Sequence, residues 1–449
     1  MALATPRASL NVRWLRRDRS LAIVSDARRP AQAPRRESPF APGGAFSHVR
    51  SAAAAAERPG RASKAEPGAA AAPAAGGPSR HYAKNVSALL PEGADTRQSR
   101  RHVRYAQRGI LWRESSLERV RKCGRVPTGD VQVKVADGIG HFAGLVTCGS
   151  VWACPVCSAK ILNRRAQEIS RGAARWHQLG NSVYMTTLTM AHNDGMPLAA
   201  LMKAIAAGFS AVIRGRPWLR LKKQLGIVGT IRSVEVTHGV NGWHPHLHTL
   251  TFLTGDPGAD GLAVFVTHMR EKWRRYITGA GYRPPDDLHG VKVDRCASAA
   301  DAGAYIAKTQ DGRAVGNEVA RGDLKRGRAG HRTPLEILEC FRWTGDLADL
   351  ALWREYERAT YRHQRITWSK GLRALLLPDE DEQTDEEIAA EDVGGEVVAV
   401  IEADAWRSVV SVPGLPAALL DAVERGGLPK LKAVLACHGI SVIEGGRGP

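Results

Sequence analysis

The stretch Trp243-His244-Pro245-His246-Leu247-His248 sets three histidines two residues apart. In a strand, successive side chains alternate between faces, so His244, His246 and His248 would all project from one side. Neutral imidazole is a ligand for divalent metals, which makes this face a candidate metal site. Glu235, on what reads as the facing strand of a hairpin, is the carboxylate candidate to complete it. Mixed nitrogen and oxygen donors suit Mg²⁺ or Mn²⁺, with positions open to phosphate oxygens, better than a closed structural zinc. The plainer alternatives are a solvent-facing polar strand for the histidines and a cross-strand ion pair with Arg or Lys for Glu235.

A second constellation is Asp301-Ala302-Gly303-Ala304-Tyr305-Ile306-Ala307-Lys308. On a helix, positions i, i+4 and i+7 share a face, which would align Asp301, Tyr305 and Lys308. The residues between them are small and let backbone or ligand approach closely. Tyrosine can act as a covalent nucleophile, but with a free pKa near 10 only about 0.1% is ionised at pH 7, so its proton must be removed. Taken alone, the same pattern fits a packed tyrosine and a capping carboxylate begun at Ser298.

Cys123, Cys148 and the knuckle Cys154-Pro155-Val156-Cys157 supply four thiols, enough for a tetrahedral Zn²⁺. A redox Cys-x-x-Cys competes, but no βαβ pattern surrounds the knuckle. Cys296, Cys340 and Cys437 stand apart and read as buried thiols without a chemical role.

The elements that must position these groups alternate along the chain. Helices are expected over Cys157–Leu179, Leu198–Ile213, Val264–Ile277 and Ser298–Thr309. Strands are expected over Ser182–Thr189, Gly229–Thr237, Trp243–Leu253 and Gly290–Val293, with a turn at His238–Gly242. This order predicts an α+β fold in which helices flank an antiparallel sheet centred on the hairpin 229–253. Five segments follow. Residues 1–104 form an Ala/Pro/Arg-rich region expected to be disordered, and 105–180 a Cys-rich zinc-knuckle and DNA-binding segment. Residues 181–377 form a catalytic domain, 378–404 an acidic linker and 405–449 a small helical module.

Composition narrows the class. The chain has 449 residues, 43% of them hydrophobic, and a formal net charge of +19. The twelve acids of Asp379–Asp404 are unaccompanied by Lys or Arg, so without them the charge would stand at about +31. That excess favours a polyanionic partner, most simply nucleic acid. Apolar content excludes a wholly disordered chain, and no run of about 18 apolar residues provides a spanning helix. Seven cysteines in a chain of this length make no disulfide scaffold, and no signal peptide precedes them; a cytoplasmic protein with no membrane partner is expected.

Taken together, these motifs resemble the rolling-circle replication initiators of small bacterial plasmids, in particular the single-tyrosine group common in actinobacteria within the HUH endonuclease superfamily. The resemblance runs from about Arg119 to Arg373. It comprises CGSVWACPVCSAKI, YMTTLT, RSVEVTHGVNGWHPHLHTL, DAGAYIAK and the stretch from Leu352 to Leu372, in the expected order. His246-Leu247-His248 matches the histidine–hydrophobic–histidine signature, and Tyr305 matches the nucleophile. One departure is Asp301, where the family often has Glu; the shorter side chain draws the carboxylate back by about a methylene.

The resemblance implies an HUH, ferredoxin-like fold and a site-specific endonuclease and strand transferase that nicks and rejoins origin DNA. Tyr305 would form a 5′-phosphotyrosine and leave a free 3′-OH as primer, with Lys308 stabilising charge and Asp301 acting as base at termination. Partners would be double- and single-stranded plasmid origin DNA, a host helicase and a DNA polymerase. Two alternatives are a relaxase or single-strand transposase of the same superfamily, which the cysteine block argues against, and a non-catalytic zinc-containing DNA-binding protein. The latter would leave the histidine strand and the Asp/Tyr/Lys face without a reason.

Overall fold

The structure is a computed structural model that describes residues 97–286, 289–297 and 330–445. Asp301, Tyr305 and Lys308, the helix expected over Ser298–Thr309, and the chain before Arg97 lie outside the described residues.

The described chain opens with helices α1 (Arg97–Glu114) and α2 (Glu118–Lys122), the hairpin β1 (Pro127–Ala136) and β2 (Ile139–Leu145), and α3 (Pro155–Gln178). There follow β3 (Ser182–Leu188), α4 (Leu198–Val212), α5 (Gly215–Gln224), the long hairpin β4 (Ile227–Gly239) and β5 (Gly242–Leu253), α6 (Gly258–Gly279) and β6 (Val291–Arg295). Past the undescribed segment come β7 (His331–Arg332), α7 (Pro334–Thr344), α8 (Leu347–Thr360), β8 (Ile366–Trp368) and α9 (Leu372–Leu376). The chain closes with α10 (Asp385–Ala390), β9 (Glu396–Ile401), α11 (Ala403–Ser411), α12 (Leu415–Ala436) and β10 (Ile443–Glu444).

Local chemistry sets several boundaries. Cys154 caps α3 by accepting from the Cys157 amide, and Pro155 occupies the first turn, where no N–H is missed. Thr333 and Glu336 close a capping box at α7, which ends on Gly345 in the left-handed region.

A six-stranded antiparallel sheet runs β6-β3-β5-β4-β7, with β8 also paired to β4. The β4–β5 hairpin forms its centre, as the sequence predicts, and its register is continuous from Gly229↔Phe252 to Gly239↔Gly242. One face carries Trp243, Leu247, Val234, Val236 and Leu188 into a core shared with α4 and α6, where Leu201, Ile205, Met269 and Trp273 are buried. On the opposite face Met185, Ile231, Leu250 and Phe252 pack against Ile169 and Trp176 of α3 and Leu372 and Leu376 of α9. Burial of these large apolar side chains is the main stabilising term.

Two expectations about organisation give way. Residues 378–404 are not a solvated linker: β9 pairs antiparallel with β1 in a second sheet, β10-β9-β1-β2, with Val131 opposite Ile401 and Val133 opposite Ala399. Residues 405–449 are likewise no free module, because α11 and α12 cover that sheet, and Trp406 is fully buried edge-on to Phe142 of β2. The boundary expected at residue 104 falls inside α1, which begins at Arg97. The first half of that helix is held by ion pairs, where Arg101 reaches Asp421 at 2.8 Å and also pairs with Glu424 and His102 lies 2.8 Å from Asp421, and its second half by Leu111, fully buried in the main core. Among the described residues, no single helix is long and apolar enough to cross a membrane.

Candidate metal centres

β5 alternates as its sequence requires. Trp243, Pro245 and Leu247 point into the core, and His244, His246 and His248 share the other face. The core side is pinned where Trp243 donates its indole N–H to Glu355 of α8 (2.9 Å) and stacks on Tyr356. Tyr356 is wholly buried, which pushes its phenol up to about 12.

Glu235 lies directly opposite His246 in the hairpin register. The Nε2 atoms of His246 and His248 lie 3.0 and 3.1 Å from one and the same oxygen, Glu235 Oε2. Thr187 of β3 lies opposite His248, and its hydroxyl sits 3.1 Å from His248 Nδ1, a partner that serves either tautomer. His246 Nδ1 is buried with no hydrogen-bond partner among the described residues. Two imidazole nitrogens and a carboxylate oxygen therefore converge, with all three ligand atoms within 4.8 Å of one another. This donor set is compatible with a divalent metal ion, and the hydroxyl behind His248 is the kind of outer partner that orients a metal-binding ring.

His244 is placed differently. Its Nδ1 lies 2.7 Å from Nε2 of His192, whose own Nδ1 lies 2.8 Å from the Asn241 carbonyl. A carbonyl can only accept, so His192 carries an N–H on Nδ1. Burial, with His246, His192 and His331 nearby, pushes His244 down to about 3, so it stays neutral. His244 thus extends a row of imidazoles beside the converging trio without joining it. Sequence reasoning missed His192 and His331, which lie in a loop and on the short β7; neither carries a motif, and only the fold brings them to this edge.

The four cysteines expected to bind zinc also meet. Cys123 follows α2, Cys148 follows β2, and Cys154 and Cys157 open α3. Cys123 Sγ lies 3.7 Å from Cys154 Sγ and 3.5 Å from Cys157 Sγ, and Cys148 Sγ lies 3.7 Å from Cys157 Sγ. A tetrahedral zinc with bonds of about 2.3 Å has sulfur–sulfur edges of about 3.8 Å, so the spacing fits. All four thiols are free and buried. Contacts from the other three thiols drive Cys123 far down, with help from Arg108, while the same contacts push Cys148 and Cys154 up.

Arg108 of α1 is buried beside this cluster, and its Nε and Nη2 have no hydrogen-bond partner among the described residues. Burial would lower its pKa, but Tyr105 and Cys123, Cys154 and Cys157 raise it on balance. Gly124, at φ +65°, allows this approach: a Cβ there would lie 2.2 Å from an Arg108 nitrogen. Of the other cysteines, Cys296 and Cys340 are buried as expected, but Cys437 is exposed, which corrects the expectation for it. Trp152 and Ser158, which flank the knuckle, line a small cavity together with Glu235.

The chain has relatives of known name. A Rep protein from Streptomyces lividans is 32% identical over 351 residues, which cover 63% of this chain and 76% of that protein. A neomycin resistance protein from Streptomyces cyanogenus is 27% identical over 248 residues, 45% of this chain and 56% of the other. A Rep protein from Streptococcus pneumoniae serotype 2, strain D39, is 26% identical over 188 residues, 40% of this chain and 55% of the other. No family model and no solved structure matches the chain.

Proposed function

The chain belongs to the plasmid Rep proteins of Streptomyces type, the initiators of plasmid replication, and from that premise we propose that it nicks origin DNA by metal-assisted tyrosine transesterification. The observation that carries this reading is the convergence of His246 and His248 on Glu235 Oε2.

Glu235, His246 and His248 would hold a Mg²⁺ or Mn²⁺ ion. When bound, it would polarise the scissile phosphate and offset the charge that develops there. Tyr305 is the proposed nucleophile. Its phenolic oxygen, once deprotonated, forms a bond to phosphorus as the bond to the 3′ oxygen breaks, and that oxygen takes up a proton. The products are a 5′-phosphotyrosine and a free 3′-OH that a polymerase extends. Because one phosphoester replaces another, rejoining needs no ATP. Lys308 would stabilise negative charge near the reacting oxygens, and Asp301 would serve as base for a later nucleophile at termination. The four-cysteine cluster would hold Zn²⁺ in a structural role, tying α2, the β1–β2 hairpin and the start of α3 together.

The basic body would hold the origin by its phosphates, with a single-stranded segment at the metal site and a host helicase unwinding beyond it. The test is incubation with supercoiled DNA carrying a candidate origin. Nicked circles with protein attached, lost on chelation and restored by Mn²⁺, are expected. Nicking undiminished in excess chelator would remove the metal from the mechanism.

A further inference from the structure

The acidic run that reads as linker lies across arginines. Arg164, Arg171 and Arg175 occupy positions i, i+7 and i+11 of α3, one face of the helix over about 16 Å. Arg171 forks onto Glu380 through two bonds of 2.7 Å, Nε to Oε1 and Nη2 to Oε2. Arg175 lies 3.5 Å from Asp379, and Arg164 donates to the Gln383 side chain at 3.2 Å. Beside the row, Arg165 meets Asp385 at 2.9 Å, and Arg119 of α2 meets Glu386 at 3.1 Å.

The run is anchored at both ends. Leu377 is buried before it and Ile388 after it, and Arg373 holds the carbonyls of Glu380 and Asp381. Between the run and α3, Arg164, Arg171, Glu380, Asp381 and Gln383 line an open cavity of about 450 Å³.

Two parallel N–H···O bonds from a guanidinium are the geometry with which arginine takes a phosphate as readily as a carboxylate. Arg171 and Arg175 remain about half exposed (45% and 51%) despite their partners. Exposed pairs of this kind stabilise a fold by only about 0–1 kcal/mol, so holding the run in place does not by itself require them. A strongly basic chain has instead laid its densest acidic segment along a row of arginines.

We propose that the arginine row of α3 is a phosphate-binding surface for DNA, and that Asp379–Glu386 covers it as an intramolecular mimic of a nucleic-acid strand. This rests on the Rep reading and adds the surface and its restraint: DNA reaches these arginines only by competing with carboxylates, which disfavours arbitrary sequence held by charge alone.

The experiment measures binding of the full chain to a duplex of arbitrary sequence, by fluorescence anisotropy, between about 50 and 200 mM salt. The isosteric triple Asp379→Asn/Glu380→Gln/Glu386→Gln is compared with a control of equal charge change away from α3, Glu396→Gln/Glu402→Gln/Asp404→Asn. The first triple should bind about tenfold more tightly than the control and show a salt slope steeper by about 2. Adding Arg171→Gln/Arg175→Gln should reverse both effects. Equal affinity and slope for the two triples would overturn the proposal while leaving DNA binding intact. Absence of binding to this duplex in every variant would overturn this surface alone if origin DNA is still bound, and the proposed function with it if origin DNA is not bound either.

Discussion

His246 and His248 aim their Nε2 atoms at a single oxygen of Glu235, at 3.0 and 3.1 Å, whereas His244 on the same strand face is engaged by His192 at 2.7 Å. Glu235→Gln, His246→Ala and His248→Ala should each weaken Mn²⁺ binding by about tenfold or more, read by electron paramagnetic resonance of free Mn²⁺. His244→Ala should change it by less than about threefold. Equal losses for His244 and His246 would mean that the ligand set is drawn wrongly.

The four-sulfur cluster predicts a single zinc per chain that survives purification. Cys154→Ser should lose it and unfold at a lower temperature, because metal affinity at such a site is also folding free energy. Arg108→Met should keep the stoichiometry but release zinc to a chromophoric chelator about tenfold faster, since a buried charge beside the thiolates has gone. Arg108→Lys should lie between. Release unchanged in Arg108→Met would show that the guanidinium does not serve the cluster.

Trp406 is fully buried between α11, α12 and the sheet that joins β9 to β1. Trp406→Ala should cost about 3–5 kcal/mol in denaturant unfolding. The transition should remain one step for the knuckle and the C-terminal residues, with the zinc site lost in parallel. An early, separate transition that leaves the zinc in place would show that the C-terminal segment folds on its own.

Glu424 ties α12 to α1 through Arg101 and accepts the Gly140 amide at 2.7 Å. Burial raises its pKa, but the Arg101 hydrogen bond, the amide and the charges of Arg101 and Arg97 outweigh this and hold the carboxyl below its usual 4.5. A depressed carboxylate contributes stability that is full above pH 4.5 and is lost as pH falls through the folded value. Glu424→Gln should therefore be destabilised by about 1–3 kcal/mol at neutral pH. Its deficit relative to wild type should shrink as the pH drops below 4.5. A deficit constant down to pH 3 would contradict the assignment.

The parts of this protein that were legible in its sequence depend on short-range periodicity. Alternation in Trp243–Leu253 places three imidazoles on one face whatever the rest of the chain does, and a tight hairpin then brings Glu235 opposite His246. The antiparallel centre of the larger sheet follows from the same pattern. What stayed hidden depends on distant partners. β1 and β9 pair across most of the described chain, so the short apolar run Val397–Ile401 was masked by the acids around it. The start of α1 looks like an arginine-rich tail until Asp421 and Glu424 are placed beside Arg101. His192 reaches His244 only because the loop after β3 folds over the hairpin turn and meets Asn241.

The most direct test of strand transfer is to trap the covalent product on single-stranded origin DNA, digest with nuclease and trypsin, and find the modified peptide by mass spectrometry. Cleavage after Arg295 and Lys308 yields a peptide, Cys296–Lys308, whose one tyrosine is Tyr305. The account predicts a 5′-linked nucleotide on that tyrosine, absent from Tyr305→Phe and from chelated reactions. An adduct on a different tyrosine, or one that persists in Tyr305→Phe, would contradict it.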